Sequence, residues 1–179
     1  MNAKRINVIG TSGSGKSTFA KDLAKRLGFP YIEMDKVFWG PNWHWPSDEV
    51  FFDNLQRAIN GDNWVLDGNY TRSLPIKWKR VEMVIWLDYS FSITLYQAVS
   101  RAFGRALSGN ELWEGTGNRE SFRKSFFSKD SIILWTIKTH GPVRLKYESY
   151  LTDPKYSHIN FVRLRNRREA EKFLRQCGP

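Results

Sequence analysis

Residues 10–17 read Gly10-Thr11-Ser12-Gly13-Ser14-Gly15-Lys16-Ser17, a complete G-x-x-x-x-G-K-[ST] phosphate-binding loop, and Thr18 follows. The apolar run Ile6-Asn7-Val8-Ile9 precedes it and an amphipathic helix pattern begins at Lys16, so the loop is predicted to join a strand to a helix. Glycines let the backbone curl until successive N–H groups face phosphate oxygens. The helix N-terminus adds partial positive charge, Lys16 reaches the β- and γ-phosphates, and the Ser17 hydroxyl is placed to ligate Mg²⁺. ATP with Mg²⁺ is the expected ligand. Gly10, Ser12, Gly13, Ser14, Gly15, Lys16, Ser17 and Thr18 are its expected contacts.

Downstream patterning repeats the strand-then-helix rhythm. Phe19, Leu23 and Leu27 fall on one helical face, and Gly28 with Pro30 stops that helix. Residues 31–34 read as a short second strand ending at Asp35, followed by a loop over 36–46. Ser47 is placed to cap a helix that carries Asp48 and Glu49 in its first turn. Apolar runs at 64–66 and 81–87 predict two further strands, ending at Asp67 and Asp88. Helical patterns occupy about 91–107 and about 119–139, a fifth strand covers 159–164, and Asn166 is placed to cap a last helix. The fold expected is a three-layer α/β domain over residues 1–179, with a five-stranded parallel sheet in the order 2-3-1-4-5 and a helical lid at about 101–125. Its ligand belongs at the carboxyl ends of the strands.

Composition narrows the partners. A formal charge of +10 favours polyanions, whether phosphorylated small molecules or nucleic acid. The single Cys177 excludes an internal disulfide and a cysteine-based zinc site. No apolar run approaches the roughly 18–20 residues of a membrane span, and the chain enters its first strand directly, so a cytoplasmic protein without a membrane partner is expected. Eight tryptophans are present, and Trp39, Trp43 and Trp45 crowd into one Gly- and Pro-containing stretch.

Acids at the ends of strands two, three and four share an edge with the phosphate loop. Phosphoryl transfer needs carboxylates there, to orient Mg²⁺ and to accept a hydroxyl proton. Arg101 and Arg105 lie four apart on one helical face, and Arg119 and Arg123 repeat the spacing. Guanidinium suits the charge that develops on a transferring phosphoryl group. The plainer readings are turn residues for the acids, a solvated face for the arginines and core packing for the tryptophans.

The loop, the aromatic 35–45 segment, Trp64-Val65-Leu66-Asp67-Gly68-Asn69-Tyr70 and Val84-Ile85-Trp86-Leu87-Asp88 together resemble the adenylate-kinase-like phosphotransferases. Within that group they are most similar to the DNA topology modulation (FlaR-type) proteins. The resemblance implies an ATP-dependent phosphotransferase acting on a nucleotide or other small hydroxyl acceptor. It makes Asp67 a water-mediated metal contact and Arg72 an acceptor-side cation. It makes Asp35 the acid at the acceptor hydroxyl, with Trp39 beside the acceptor. Asp88 stands where such proteins often carry a metal-orienting acid, so Ser17, Asp67 and Asp88 are the metal candidates. Arg101 and Arg105 would contact the nucleotide, and Arg119 and Arg123 would join Lys16 and Asp35 in catalysis. Asn166 and Arg167 fall where related enzymes hold the adenine. The rival expectation is a nucleic-acid-associated regulator that uses ATP as a switch.

Overall fold

The computed structural model describes residues 2–108, 111, 116–118 and 132–178. Strands β1 (Arg5–Gly10), β2 (Tyr31–Glu33), β3 (Trp64–Asp67), β4 (Met83–Leu87) and β5 (Asn160–Leu164) form one parallel sheet in the order β2-β3-β1-β4-β5. That is the order expected from the alternation of strands and helices. Helices α1 (Lys16–Leu27), α2 (Met34–Phe38), α3 (Asp48–Ala58), α4 (Leu74–Lys77), α5 (Phe91–Ser108), α6 (Ile132–Thr152) and α7 (Arg167–Arg175) complete the described elements with three single 3₁₀ turns.

Alternation along β1 sorts the core into two layers. Ile6 and Val8 join Phe19, Leu23 and Ala24 of α1, with Phe173 and Leu174 of α7 packed alongside. Ile9, on the opposite face, joins Phe51 and Leu55 of α3, Trp78 and Tyr147. Phe19 and Leu23 are 5% and 0% exposed, and burying each is worth about 2 kcal/mol before ordering costs. The predicted stops and caps are in place. Gly28 closes α1 with φ 66°, the Ser47 hydroxyl accepts from Val50 N at 3.3 Å, and Asn166 caps α7 by accepting from Glu169 N at 2.9 Å. The Glu169 carboxylate reaches back to the Asn166 amide and to Arg165 N, each at 2.7 Å, so the side chain of Asn166 is used in closing the helix.

Two elements differ from expectation. Asp35 does not end β2; the strand stops at Glu33 and Asp35 lies in the first turn of α2, which runs on into the 36–46 stretch read as loop. Met34 and Phe38 explain this, since four-residue spacing lets a single helical turn bury both. The second is α6, which runs to Thr152 through Gly141 and Pro142 instead of ending near 139. A mid-helix proline costs about 3 kcal/mol. Against that, α6 delivers Tyr147 to Trp86 and Tyr150 to Trp78, with ring centroids 5.5 and 5.1 Å apart. The remainder of the predicted 119–139 helix, and most of the lid stretch, lie outside the described residues.

Candidate active site

Register brings the strand ends to one edge. Val8 pairs with Asp67, Glu33 with Asp67, Gly10 with Leu87, and Leu87 with Leu164. The phosphate loop leaves β1 at this edge and enters α1 through Gly15, whose φ of 81° lies in the left-handed region. Gly13, at φ 84°, faces α5 so closely that a Cβ would sit 2.6 Å from Thr94 O and 2.8 Å from Ala98 Cβ. The loop is therefore pressed against α5. From that helix Arg101 donates Nη2 to Ser12 Oγ at 3.1 Å, which sets it against the phosphate loop. Arg105 belongs to α5 as well; its side chain, and Arg119 and Arg123 altogether, lie outside the described residues.

A cavity of about 570 Å³ opens beside the loop. Residues 13–18 line it, with Gln97 and Arg101 from α5 and Arg167 and Glu171 from α7. Lys16, Ser17 and Thr18 thus share one cavity with Arg101 and Arg167. Arg167 also donates to Glu171 at 3.0 Å. Four buried side-chain atoms have no hydrogen-bond partner among the described residues: Ser14 Oγ, Thr94 Oγ1, Gln97 Oε1 and Asp67 Oδ1. Gln97 was not anticipated, because a glutamine on an amphipathic helix carries no signal of its own.

The two acids at strand ends differ in their neighbours. Asp67, 3% exposed, accepts at Oδ2 from the Tyr31 hydroxyl at 3.0 Å, and its Oδ1 is the orphan named above. Burial and the nearby Asp67 charge hold the Tyr31 phenol protonated, well above its ordinary range. Asp88, by contrast, accepts at Oδ2 from Arg163 Nε and Nη2 at 2.8 and 2.6 Å, with Arg144 at 3.4 Å. Arg163 also bonds Glu148 and lies 4.3 Å from the Trp86 ring centroid. Through Oδ2 Asp88 therefore joins α6 to the sheet.

Between these acids, the turn after β3 ties the loop to the other side of the site. Asn69 accepts from Gly10 N at 3.2 Å and donates to Gly10 O at 2.7 Å. Next to it the Tyr70 hydroxyl donates to Asp35 Oδ1 at 2.8 Å, and burial with the adjacent Asp35 charge keeps that phenol protonated. Asn7 supports the turn from the middle of β1. Its Nδ2 donates to Leu66 O and Gly68 O at 3.0 and 3.2 Å, and its Oδ1 accepts from Trp78 Nε1 at 2.9 Å. An asparagine within an apolar strand run was the visible signal, since a buried amide must be fully bonded. Lys77 is wholly buried and donates to Gly68 O at 3.2 Å and to Asn69 O. Burial pushes its amine down to about 7; Asp67 opposes the shift and Lys146 adds to it.

Arg72 and Trp39 belong to an aromatic wall on the Asp35 side. The Arg72 guanidinium lies 4.9 Å from the Phe38 ring centroid, 5.3 Å from Phe51 and 5.4 Å from Trp45, and pairs with Asp48 at 2.6 Å. Trp39 meets Phe38, Trp43 and Trp45 edge-on at 4.8–5.6 Å. Trp45 is 62% exposed, whereas Phe38 is buried. The wall is thus part core and part surface.

Asn118 fixes its rim. This fully buried residue accepts from Trp43 N at 2.6 Å and donates to Gly40 O at 3.0 Å, while Asn42 N donates to Thr116 O at 2.9 Å. Asn42 and Trp43 are held at φ 54° and 58°, a region that a bulky side chain rarely enters. Asn118→Ala leaves the part-buried Trp43 N–H and Gly40 C=O without this partner, so a loss of about 1–2 kcal/mol in urea unfolding is expected. A loss below about 0.5 kcal/mol would remove Asn118 as the support of this rim.

Comparison with known proteins agrees with this geometry. A cytidylate kinase of Mycoplasmoides gallisepticum is 36% identical over 74 residues, which cover 37% of this chain and 33% of that one. The chain spans less than half the length of the relatives it matches in sequence. A solved shikimate kinase from Bacteroides thetaiotaomicron superposes with TM-score 0.57 at 14% identity, covering 97% of this chain and 96% of that one. A gluconokinase from Sinorhizobium meliloti gives 0.51 at 18%, covering 97% and 92%. These likenesses identify the fold as that of phosphate-loop kinases. Among the described residues no helix is long and apolar enough to cross a membrane. Residues 6–97, more than half of the chain and all of the phosphate loop, the Asn69 turn and β4, match the family described as AAA domain, and the chain belongs to it.

Proposed function

We propose that the chain is an ATP-dependent phosphotransferase acting on a nucleotide or another small hydroxyl compound. One observation carries the reading: a single short turn hydrogen-bonds the phosphate loop through Asn69 and the acceptor-side carboxylate Asp35 through Tyr70. A site that only bound or hydrolysed ATP has no need of an exposed carboxylate held across from the loop. In this reading Lys16 and the loop amides bind the triphosphate, while Arg101 and Arg167 flank the rest of the nucleotide. Asp35 orients the acceptor hydroxyl and takes its proton as the oxygen–phosphorus bond forms. Tyr70 stays protonated and holds the Asp35 carboxylate in place. Arg72, stacked on its aromatic wall, supplies positive charge at the acceptor side.

The donor set fits Mg²⁺. Asp67 Oδ1 is a buried, unpartnered oxygen beside the loop, and Ser17 lies at the head of α1. Among the described residues no group of three or more His, Cys, Asp or Glu forms a ready metal cage. That suits a cation held by one or two protein oxygens together with phosphate oxygens and water. Bound there, Mg²⁺ would neutralise charge on the phosphates. Asp67 takes precedence over Asp88 because Asp88 is engaged with two arginines.

The test is a panel of nucleotides, nucleosides and sugar-like alcohols with labelled ATP. One acceptor should be phosphorylated far faster than ATP is hydrolysed. With it, Asp35→Asn should lower kcat about 10²–10⁴-fold at unchanged ATP affinity; unchanged transfer removes Asp35 from the mechanism. The competing proposal, favoured by the +10 charge and the likeness to DNA topology modulation proteins, is an ATP-switched nucleic-acid regulator. Two arginines of its basic tail are engaged, Arg163 on Asp88 and Glu148 and Arg167 on Glu171. Steeply salt-dependent duplex binding with no acceptor phosphorylated would decide for it.

A further inference from the structure

Lys77 has no role in the chemistry above, yet it is the one lysine among the described residues placed wholly in the interior. Among the described residues no carboxylate lies at ion-pair distance from its amine. The amine is spent on two consecutive backbone carbonyls, Gly68 O and Asn69 O, with Met34 Sδ at 3.7 Å. The next carbonyl, Tyr70 O, accepts from Ser73 N at 2.9 Å and Ser73 Oγ at 2.7 Å. Three successive carbonyls are therefore held in one orientation. The backbone they belong to is strained: Gly68 has φ 139° with no room for a Cβ against Met34, and Tyr70 has φ 24°. An aromatic residue keeps a positive φ only where its surroundings over-determine it. Lys77 is the side chain best placed to do so, because an ammonium has three donors and can hold two carbonyls at once.

We propose that Lys77 is a positioning residue of the transfer site, locking the 68–70 turn so that Asn69 stays on the phosphate loop and Tyr70 stays on Asp35. The inference rests on the phosphotransferase reading above and deepens it: the donor and acceptor halves are kept in mutual register by one buried amine. An apolar residue of the same length would leave Asn69 O without a donor and release both contacts together.

The experiment compares the full chain with Lys77→Met, Lys77→Arg, Tyr70→Phe and the double variant Lys77→Met/Tyr70→Phe, using the acceptor found by the panel. Lys77→Met should bind a non-hydrolysable ATP analogue within about threefold of the wild type by calorimetry, while kcat for transfer falls at least 100-fold and the acceptor KM rises. Lys77→Arg, which keeps charge and donors, should recover at least tenfold of that loss. Adding Tyr70→Phe to Lys77→Met should cost little more, since both act through one turn. Unchanged kcat, equal losses in kcat and ATP affinity, or fully additive effects would each overturn the proposal.

Should Lys77→Met not fold, Lys77→Gln, whose uncharged amide has two donors but ends one bond short of the lysine amine, is expected to lose at least tenfold in kcat, and full activity overturns the proposal. Should the wild type phosphorylate no acceptor, the transferase reading fails by itself, and the turn is then read by amide exchange. Gly68 N donates to Val8 O and Ser73 N to Tyr70 O. Both amides should exchange at least tenfold faster in the variant with Val84 unaffected, and unchanged exchange overturns the inference.

Discussion

Gly13→Ala is expected to abolish tight nucleotide binding, weakening a non-hydrolysable ATP analogue at least 100-fold, and to destabilise the fold by about 2–5 kcal/mol. Two costs add. The left-handed backbone at φ 84° costs a non-glycine residue about 1–2 kcal/mol. The new methyl would also lie 2.6 Å from Thr94 O and 2.8 Å from Ala98 Cβ, and overpacking of that kind costs about 1–3 kcal/mol. Neither neighbour can rotate aside, because one is backbone and the other a Cβ. The strain is relieved only if the loop lifts from α5, which breaks the Arg101 contact to Ser12 and the curl that aims the amides. Gly15→Ala is the internal control. Gly15 has nearly the same φ, 81°, but a Cβ there meets nothing nearer than Gln97 Oε1 at 3.8 Å, so the conformational cost alone of about 1–2 kcal/mol is expected. Urea unfolding of both variants decides the matter. Equal destabilisation would mean that contact with α5 contributes nothing to the shape of the loop.

The second large effect is a pH dependence of stability that belongs to Lys77. In the unfolded chain a lysine holds its proton to about pH 10.4; folded, burial pushes Lys77 down to about 7. Between those values the unfolded state binds more protons, so unfolding free energy rises with pH from near 7 and levels off above the unfolded value. A shift of that size corresponds to an increment on the order of 4 kcal/mol. Lys77→Met has no such proton. Denaturant unfolding at pH 6 to 10 should therefore show the wild type gaining on the variant by several kcal/mol above neutrality. Parallel curves would mean that Lys77 keeps an ordinary pKa and is not buried in solution. Tyr31 and Tyr70 are raised above the ordinary phenol value of about 10 by burial and their carboxylate partners, so they contribute little to the comparison below that pH.

Local signals in the chain were strong wherever the requirement was local. The glycine spacing of the loop, the Ser47 and Asn166 caps and the apolar strand runs each act over a few residues, and each is found within two residues of where it was read. Asp35 was identified as a candidate although its element was not: a helical turn and a strand end share the same few residues, and only the packing of Met34 and Phe38 beneath the sheet selects the helix. Asp67 and Asp88 looked alike because both close apolar strands. What separates them lies 75 residues away, in Arg163 on β5, and in Arg144 of α6, which come to Asp88 and not to Asp67.

By itself the sequence determined the alternation of strands and helices and the phosphate loop, because hydrophobic period and glycine spacing are properties of contiguous residues. Tertiary structure alone decided which carboxylate is free, which asparagine clamps the loop and where the buried ammonium of Lys77 falls. Those outcomes depend on charges and donors brought together across the sheet, and desolvation makes each of them either bonded or costly.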